Sequence, residues 1–370
     1  RGGVPPTTSS HTPPDGQVIA PASSHGGASG ERARFGGRSI SRRLLDGVQS
    51  GMERMAKRFE DVPHDEAVVL EKLGLPTHIF GEVVPPGTRL GPLHPAVAEE
   101  TGAGDVPVIA TASHDTAAAV AAVPARSRDH AFISSGTWSI LGVEVDEPLI
   151  TPQSLAYNFT NEGGVENTIR LMKNITALWL VQECRREWAQ AGEELSWDDL
   201  TRMAAEAEPF GGLMNTDDHR FLAPGDMPQK IQSYCAETGQ PVPQNKGAIV
   251  RCALESLALT YRRVLEQLEA ILDRELPSIH IIGGGSKNRL LNQFTADATG
   301  KPVIAGPAEA TSIGNILMQA LALGHIASLE EGRELVRRSF EVTTYEPGER
   351  ARWDEAYGRY TSRQGNEGNK

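Results

Sequence analysis

At 370 residues the chain is long enough for two or three domains of ordinary size. Its 39% hydrophobic and 23% charged residues fit a globular protein with a sizeable core, and the net charge of −12 excludes broad binding to a nucleic-acid backbone, so that small solutes are the expected partners. The longest apolar runs, such as 117–123, are too short to span a membrane, and three cysteines without a C-x-x-C pair exclude a cysteine-rich zinc site and a disulfide scaffold, which points to a reducing cytoplasmic setting.

Residues 1–50 differ from the rest. Gly, Pro and Ser fill 22 of these positions, six Arg occur with no Lys, and the net charge is +3, against −15 over the other 320 residues. Stretches 4–14 and 21–30 have neither helical nor strand periodicity and cannot bury enough apolar surface to offset chain entropy. The first methionine is Met52, and no apolar core of a signal peptide lies near Arg1. Two readings stand for residues 1–65: a disordered natural tail, or GC-rich DNA read out of frame, which yields Arg, Gly, Pro, Ser and Ala without Lys.

From Leu70 the pattern is that of a folded chain. Glu71-Lys-Leu-Gly-Leu-Pro76 predicts a helix end with a Gly and Pro stop. A loop is expected at 83–88, and 106–111 predicts a short buried strand. The polar Ser113-His-Asp-Thr116 follows it, then a small-residue helix at 117–123. Segments 131–134 and 138–145 around Ser135-Gly-Thr137 predict an antiparallel hairpin. Long helices are predicted at 173–190, 197–207 and 247–272; in the last, Val250, Leu254, Leu257, Tyr261, Val264 and Leu268 form a core stripe, expected to pack on a strand at 278–282. That strand runs into Gly283-Gly-Gly-Ser-Lys-Asn288, a helix at 289–299, a strand at 302–305 and helices at 312–323 and 329–340. A C-terminal helix and tail, frayed after Ser362, complete an α/β order.

Asp115 falls where an apolar strand meets a helix, the place where open α/β sheets present ligand-binding groups. A carboxylate there suits the acceptor of a hydroxyl proton in phosphoryl transfer; a Ser-His-Asp-Thr cluster before a helix is also the pattern of an N-cap. Ser134-Ser-Gly-Thr-Trp-Ser139 places backbone N–H groups and the Thr137 hydroxyl at a turn open to phosphate, though taken by itself the motif favours an ordinary Gly turn. The 283–288 turn lets the backbone approach a nucleotide, yet matches neither G-x-G-x-x-G nor G-x-x-x-x-G-K-[ST]. Asn174 and Gln182, eight residues apart on a helical pattern, lie about 80° apart on one side, where both could face a cleft or simply be solvated.

The series Ala112-Ser-His-Asp-Thr-Ala117, Ser134-Ser-Gly-Thr-Trp-Ser139, Asn161-Glu-Gly-Gly164, Lys173-Asn174, Gly283-Gly-Gly-Ser-Lys-Asn288, Leu291-Asn-Gln293 and Ala305-Gly-Pro-Ala-Glu-Ala310 with Gly314-Asn315 resembles the FGGY carbohydrate kinases, and within them the rhamnulokinase family. The resemblance runs from about Leu70 to about Phe340. It implies the actin-like fold of two ribonuclease-H-like domains, here a remnant of the first, sugar-binding domain at 66–126, a second, nucleotide-binding domain at 127–345, and a C-terminal helix and tail at 346–370. It implies transfer of the ATP γ-phosphate, with Mg²⁺, to O1 of L-rhamnulose, by a monomer that binds neither nucleic acid nor membrane. Asp115 would be the catalytic proton acceptor, with His114, Thr116 and Asn174 on the sugar, and Thr137, Gln182 and Gly284 on the nucleotide. A disulfide between Cys235 and Cys252 is implied as well, whereas a second bridge of the family has no cysteine in Phe294-Thr-Ala-Asp-Ala-Thr299. Nothing before Leu70 matches the family's first domain, so this chain is expected to have impaired activity. Another sugar or polyol as substrate, or a catalytically dead nucleotide-binding remnant, are the alternatives.

Overall fold

The computed structural model describes residues 70–76, 78, 82–348 and 350–367; the tail expected at 1–65 lies outside the described residues. The chain divides into two compact units, Arg1–Glu82 and Val83–Lys370. In the first, the helix ends as its Gly signal predicts: Gly74 has φ 69°, its N–H donates to Glu71 O at 3.0 Å, and the Leu75 N–H donates to Leu70 O at 2.9 Å.

The second unit opens with β1 (Arg89–Pro92), α1 (Pro95–Thr101) and β2 (Pro107–Ile109), the two strands pairing antiparallel. The strand expected at 106–111 is therefore present but not buried, Val106 being 48% and Val108 36% exposed. Its apolar run marks the extended conformation correctly; burial depends on what covers the strand, and its partner β1 is itself exposed.

After α2 (Asp115–Ala121) comes a seven-stranded sheet. Its strands are β3 (Ala131–Ser135), β4 (Trp138–Val145), β5 (Thr160–Gly163), β6 (Ile169–Thr176), β7 (Ile279–Ile282), β8 (Val303–Ala305) and β9 (Thr343–Tyr345), in the order β5-β6-β4-β3-β7-β8-β9. The central β3, β7 and β8 are parallel, and the remaining pairings are antiparallel. The predicted hairpin is β3–β4, with Ser135 opposite Ser139 across Gly136-Thr137.

Period-two alternation sends successive residues of each strand to opposite faces. Ile133, Leu141, Leu171 and Ile281 enter the larger core. That core also takes in helices α4 (Trp179–Gln190), α5 (Trp197–Glu206), α6 (Met227–Glu237), α7 (Lys246–Leu272), α8 (Arg289–Thr299) and α11 (Arg350–Glu367). Every residue of the predicted α7 stripe is buried. Its neighbours are mainly α5 and α8 rather than the strand at 278–282, because a 27-residue helix must bury more than one side. On the opposite face Phe132, Met172 and Ile282 join Val120, Ile313, Leu317 and Val336. This layer consists of α2, α9 (Ala310–Leu323) and α10 (Leu329–Ser339). The short α3 (Pro152–Ala156) connects β4 to β5. Helix α11 continues to Glu367, past the fraying expected after Ser362.

Two histidines at the start of β3 and within β7 stack edge to face, His130 against His280 at 4.8 Å. His130 Nδ1 meets the Ser127 carbonyl at 2.9 Å, whereas His280 Nδ1 is buried without a partner. Burial, reinforced by Arg333, lowers His130 to about 4 despite Glu144 and Asp129, and burial, with His130, Arg333 and Arg337, lowers His280 to about 3. Both rings are neutral when folded, while the unfolded chain takes up protons near pH 6.5. Stability from this pair is thus complete above about pH 6.5 and is lost as the pH falls towards 4. Urea midpoints should drop by a few kcal/mol equivalent across that window, and His280→Leu should flatten the drop; an unchanged slope in the variant refutes the assignment.

Candidate functional site

The parallel strands β3, β7 and β8 end at one cleft of about 650 Å³, the place where open α/β sheets bind ligands. Ser134 to Thr137 come from the β3 end and hairpin, Gly283 and Gly284 follow β7, and Ala308, Glu309 and Thr311 follow β8. His114, Asp115 and Thr116 enter from the head of α2, and Asn174 from β6, where it pairs with Ile140.

The glycines of the 283–285 turn divide two tasks. A Cβ on Gly283, whose φ is 84°, would stand 2.8 Å from Ser135 O, and one on Gly285 would stand 2.0 Å from Ser135 Oγ, so these two permit contact with the hairpin. A Cβ on Gly284 would meet nothing within 4 Å, which leaves its backbone open to the cleft. From beneath, Tyr261 Oη and Ser139 Oγ lie 2.6 Å apart; burial pushes the Tyr261 phenol up to about 12, so it remains a neutral hydroxyl. The turn continues as a single 3₁₀ turn, Gly284–Lys287, and Asn288 caps α8 by accepting from the Leu291 N–H at 3.0 Å.

At the other end, Asp115 Oδ1 accepts from the Thr116 N–H at 2.6 Å. The carboxylate is 77% exposed and lies 3.6 Å from His114 Nδ1. His114 is the N-cap of α2, but its side chain makes no capping bond. Helix α2 is seated on α9, where a Cβ on Gly314 would stand 1.7 Å from Ala118 O.

Six of the expected site residues, His114, Asp115, Thr116, Thr137, Asn174 and Gly284, thus share one cleft. Gln182 does not; it faces a groove between α4 and α5 with Arg185, Arg186 and Trp197. The helical relation between Asn174 and Gln182 is overturned, since residues 173–176 continue β6 and the helix begins at Trp179. Ladder pairing with β4 prevails there over a helical pattern. Cys235 and Cys252 are free, buried thiols rather than a bridge, as is Cys184. Trp138, Ile140, Glu309 and Thr311 also line the cleft; the last two follow a predicted strand end, the signal that could have singled them out.

Comparison with known proteins gives these features a lineage. Residues 131–323 match the description "FGGY family of carbohydrate kinases, C-terminal domain". The chain is 52% identical over 292 residues to a rhamnulokinase of Bacteroides thetaiotaomicron, covering 79% of this chain and 59% of that one. It is 43% identical over 277 residues to a rhamnulokinase of Oceanobacillus iheyensis, covering 75% and 58%. The chain therefore spans about three fifths of the length of these curated relatives. Among solved structures it is similar to a xylulose kinase from Brucella ovis (TM-score 0.60, 22% identity, 79% of this chain and 59% of that one). It is also similar to Plasmodium falciparum glycerol kinase with ADP (TM-score 0.60, 16% identity, 82% and 60%). At these identities the structural likeness establishes the fold, the actin-like arrangement that the motifs imply. More than half of the chain matches the family description, and the chain belongs to the FGGY family of carbohydrate kinases.

Proposed function

We propose that the cleft transfers the γ-phosphoryl group of ATP to O1 of L-rhamnulose. The observation that carries this reading is the convergence of an exposed carboxylate, Asp115, and an open glycine turn, Gly284, on one cavity at the ends of parallel strands. The identity of the sugar is supported by the rhamnulokinase relatives. In this scheme Asp115 accepts the proton of the attacking hydroxyl while its Oδ1 is oriented by the Thr116 N–H. His114, Thr116 and Asn174 bind sugar hydroxyls, and Thr137 with the Gly284 backbone receives the phosphates. Gln182, which lines the groove between α4 and α5, is proposed to contact the nucleotide. His114, Asp115 and Thr116 come from the expected remnant of the sugar-binding domain at 66–126, whereas Asn174, Thr137 and Gly284 come from the expected nucleotide-binding domain at 127–345.

The residues present fit Mg-ATP. The Gly284 backbone has room that a side chain would fill, and Mg²⁺, a hard cation, would be held largely through phosphates and water. The nucleotide supplies the phosphoryl group and Mg²⁺ neutralises its charge. A monomer in a reducing cytoplasm completes the proposal; no described helix is long and apolar enough to cross a membrane.

Turnover by the 370-residue chain is expected well below the roughly 1–100 s⁻¹ of kinases, because Asp115 and His114 are 77% and 51% exposed and water is not excluded from the reacting groups. Incubation with Mg-ATP and L-rhamnulose, followed by phosphorus NMR, should reveal slow formation of a sugar 1-phosphate. Phosphate on another carbon, or an ordinary kinase rate, would contradict the proposal.

A further inference from the structure

The Asn161-Glu-Gly-Gly164 segment has one half that the fold explains and one that it does not. Asn161 pins a loop: its Oδ1 accepts from the Leu149 N–H at 2.9 Å and its Nδ2 donates to Leu149 O at 3.2 Å. Glu162 stands directly opposite Arg170 in the β5–β6 ladder, on the face that carries Met172 and Asn174 further along β6. Arg170 Nη2 donates to Glu162 Oε2 at 3.2 Å, and Nε and Nη2 donate to Gly163 O at 3.1 and 3.0 Å. The Arg170 side chain is only 2% exposed, while Glu162 is 37% exposed.

A buried guanidinium is costly to desolvate and adds little net stability when paired. Here it anchors one carboxylate beside His114, which lines the cleft. That carboxylate faces His114: Nδ1 lies 4.0 Å from Glu162 Oε2 and 3.6 Å from Asp115 Oδ1. Both separations exceed a hydrogen bond; contraction on ligand binding by about half an ångström would close the one to Asp115 and by about 1 Å the one to Glu162, as often happens when a catalytic site fills. With Nδ1 turned to two carboxylates, the other ring nitrogen, Nε2, is left for a ligand. The charged groups nearest the ring are Asp115 on α2 and Glu162 on β5, with Arg170 of β6 paired to Glu162; Glu309 also lines the cleft.

We infer that Glu162 is a positioning residue of the sugar subsite: held by Arg170, it fixes His114 with Nδ1–H towards the carboxylates and Nε2 presented to a ligand hydroxyl. The inference takes its ligand from the sugar-kinase reading, but the state of the His114 ring does not depend on that reading. Nitrogen NMR of the labelled 370-residue chain at about pH 8.5, where imidazole is neutral, reports which ring nitrogen carries the proton. The Nδ1–H form is expected at His114 in the native chain, and a shift towards the ordinarily preferred Nε2–H form in Glu162→Ala. Glu162→Asp should restore much of the native signal. The double variant Glu162→Ala/Arg170→Met removes the buried cation with its partner and should show the same shift if Glu162→Ala alone fails to fold. In parallel, L-rhamnulose affinity should fall about tenfold in Glu162→Ala, the scale of one weakened hydrogen bond to the sugar, with affinity for an ATP analogue unchanged. A folded variant whose His114 tautomer equals the native one overturns the inference. Absence of ketose binding by the native chain would instead count against the sugar-kinase reading, with the ring spectra still deciding the role of Glu162.

Discussion

Asp115→Asn is expected to lower L-rhamnulose-dependent phosphoryl transfer by about 10²–10⁴-fold, the range for loss of a positioned general base. An amide keeps the size of the carboxylate and an oxygen to accept the Thr116 N–H, now at 2.6 Å, so the head of α2 should hold its shape. What it lacks is basicity. Sugar affinity should therefore change little, and the loss should appear in the rate of a single turnover followed as sugar phosphate. If Asp115 served only to start the helix, the variant would melt earlier and react at the native rate. The opposite pattern, native melting with a lost rate, is the expected one.

Gly314→Ala should damage the site from a distance. Helices α2 and α9 touch so closely that an ideal Cβ at Gly314 falls 1.7 Å from Ala118 O. The obstacle is backbone, not the end of a flexible side chain, so relief requires the helices to separate. Ala117, Ala118 and Ala121 of α2 are all within 4% of full burial, and the separation would loosen that packing as well. Overfilling of this kind costs about 1–3 kcal/mol. Because Asp115 is the first residue of α2, its carboxylate should shift too. A melting temperature lowered by several degrees, together with weaker sugar binding, is expected in calorimetry; a native melting curve would show that the two helices yield freely.

Much of this fold is legible in the sequence because its strongest patterns are long. The α7 stripe from Val250 to Leu268 repeats over many turns, and burial of every member follows from that repeat. The β3–β4 hairpin and the 283–288 turn are marked by glycines whose chemistry admits few alternatives. Shorter signals misled. Residues 173–176 combine with 179–190 into a plausible helix, yet their backbone pairs with β4, a partner more than 30 residues away, and no local window contains it. Strand β9 has three residues, Thr343–Tyr345, too few for a period-two pattern to mark it. In the site, Asp115 and Gly284 stand out because strand-to-helix junctions concentrate function. Glu162 does not, because its meaning depends on Arg170 across the ladder and His114 beyond it.

The central claim is that one cleft accepts a ketose at its Asp115 end and nucleotide phosphates at its Gly284 end. Titration calorimetry of the 370-residue chain, first with L-rhamnulose and then with a non-hydrolysable ATP analogue and Mg²⁺, tests it most directly. Saturable heat is predicted for both ligands, the sugar signal weakening in Asn174→Ala and the nucleotide signal in Gly284→Val. Nucleotide binding without response to L-rhamnulose would contradict the account and favour a nucleotide-binding protein without sugar chemistry.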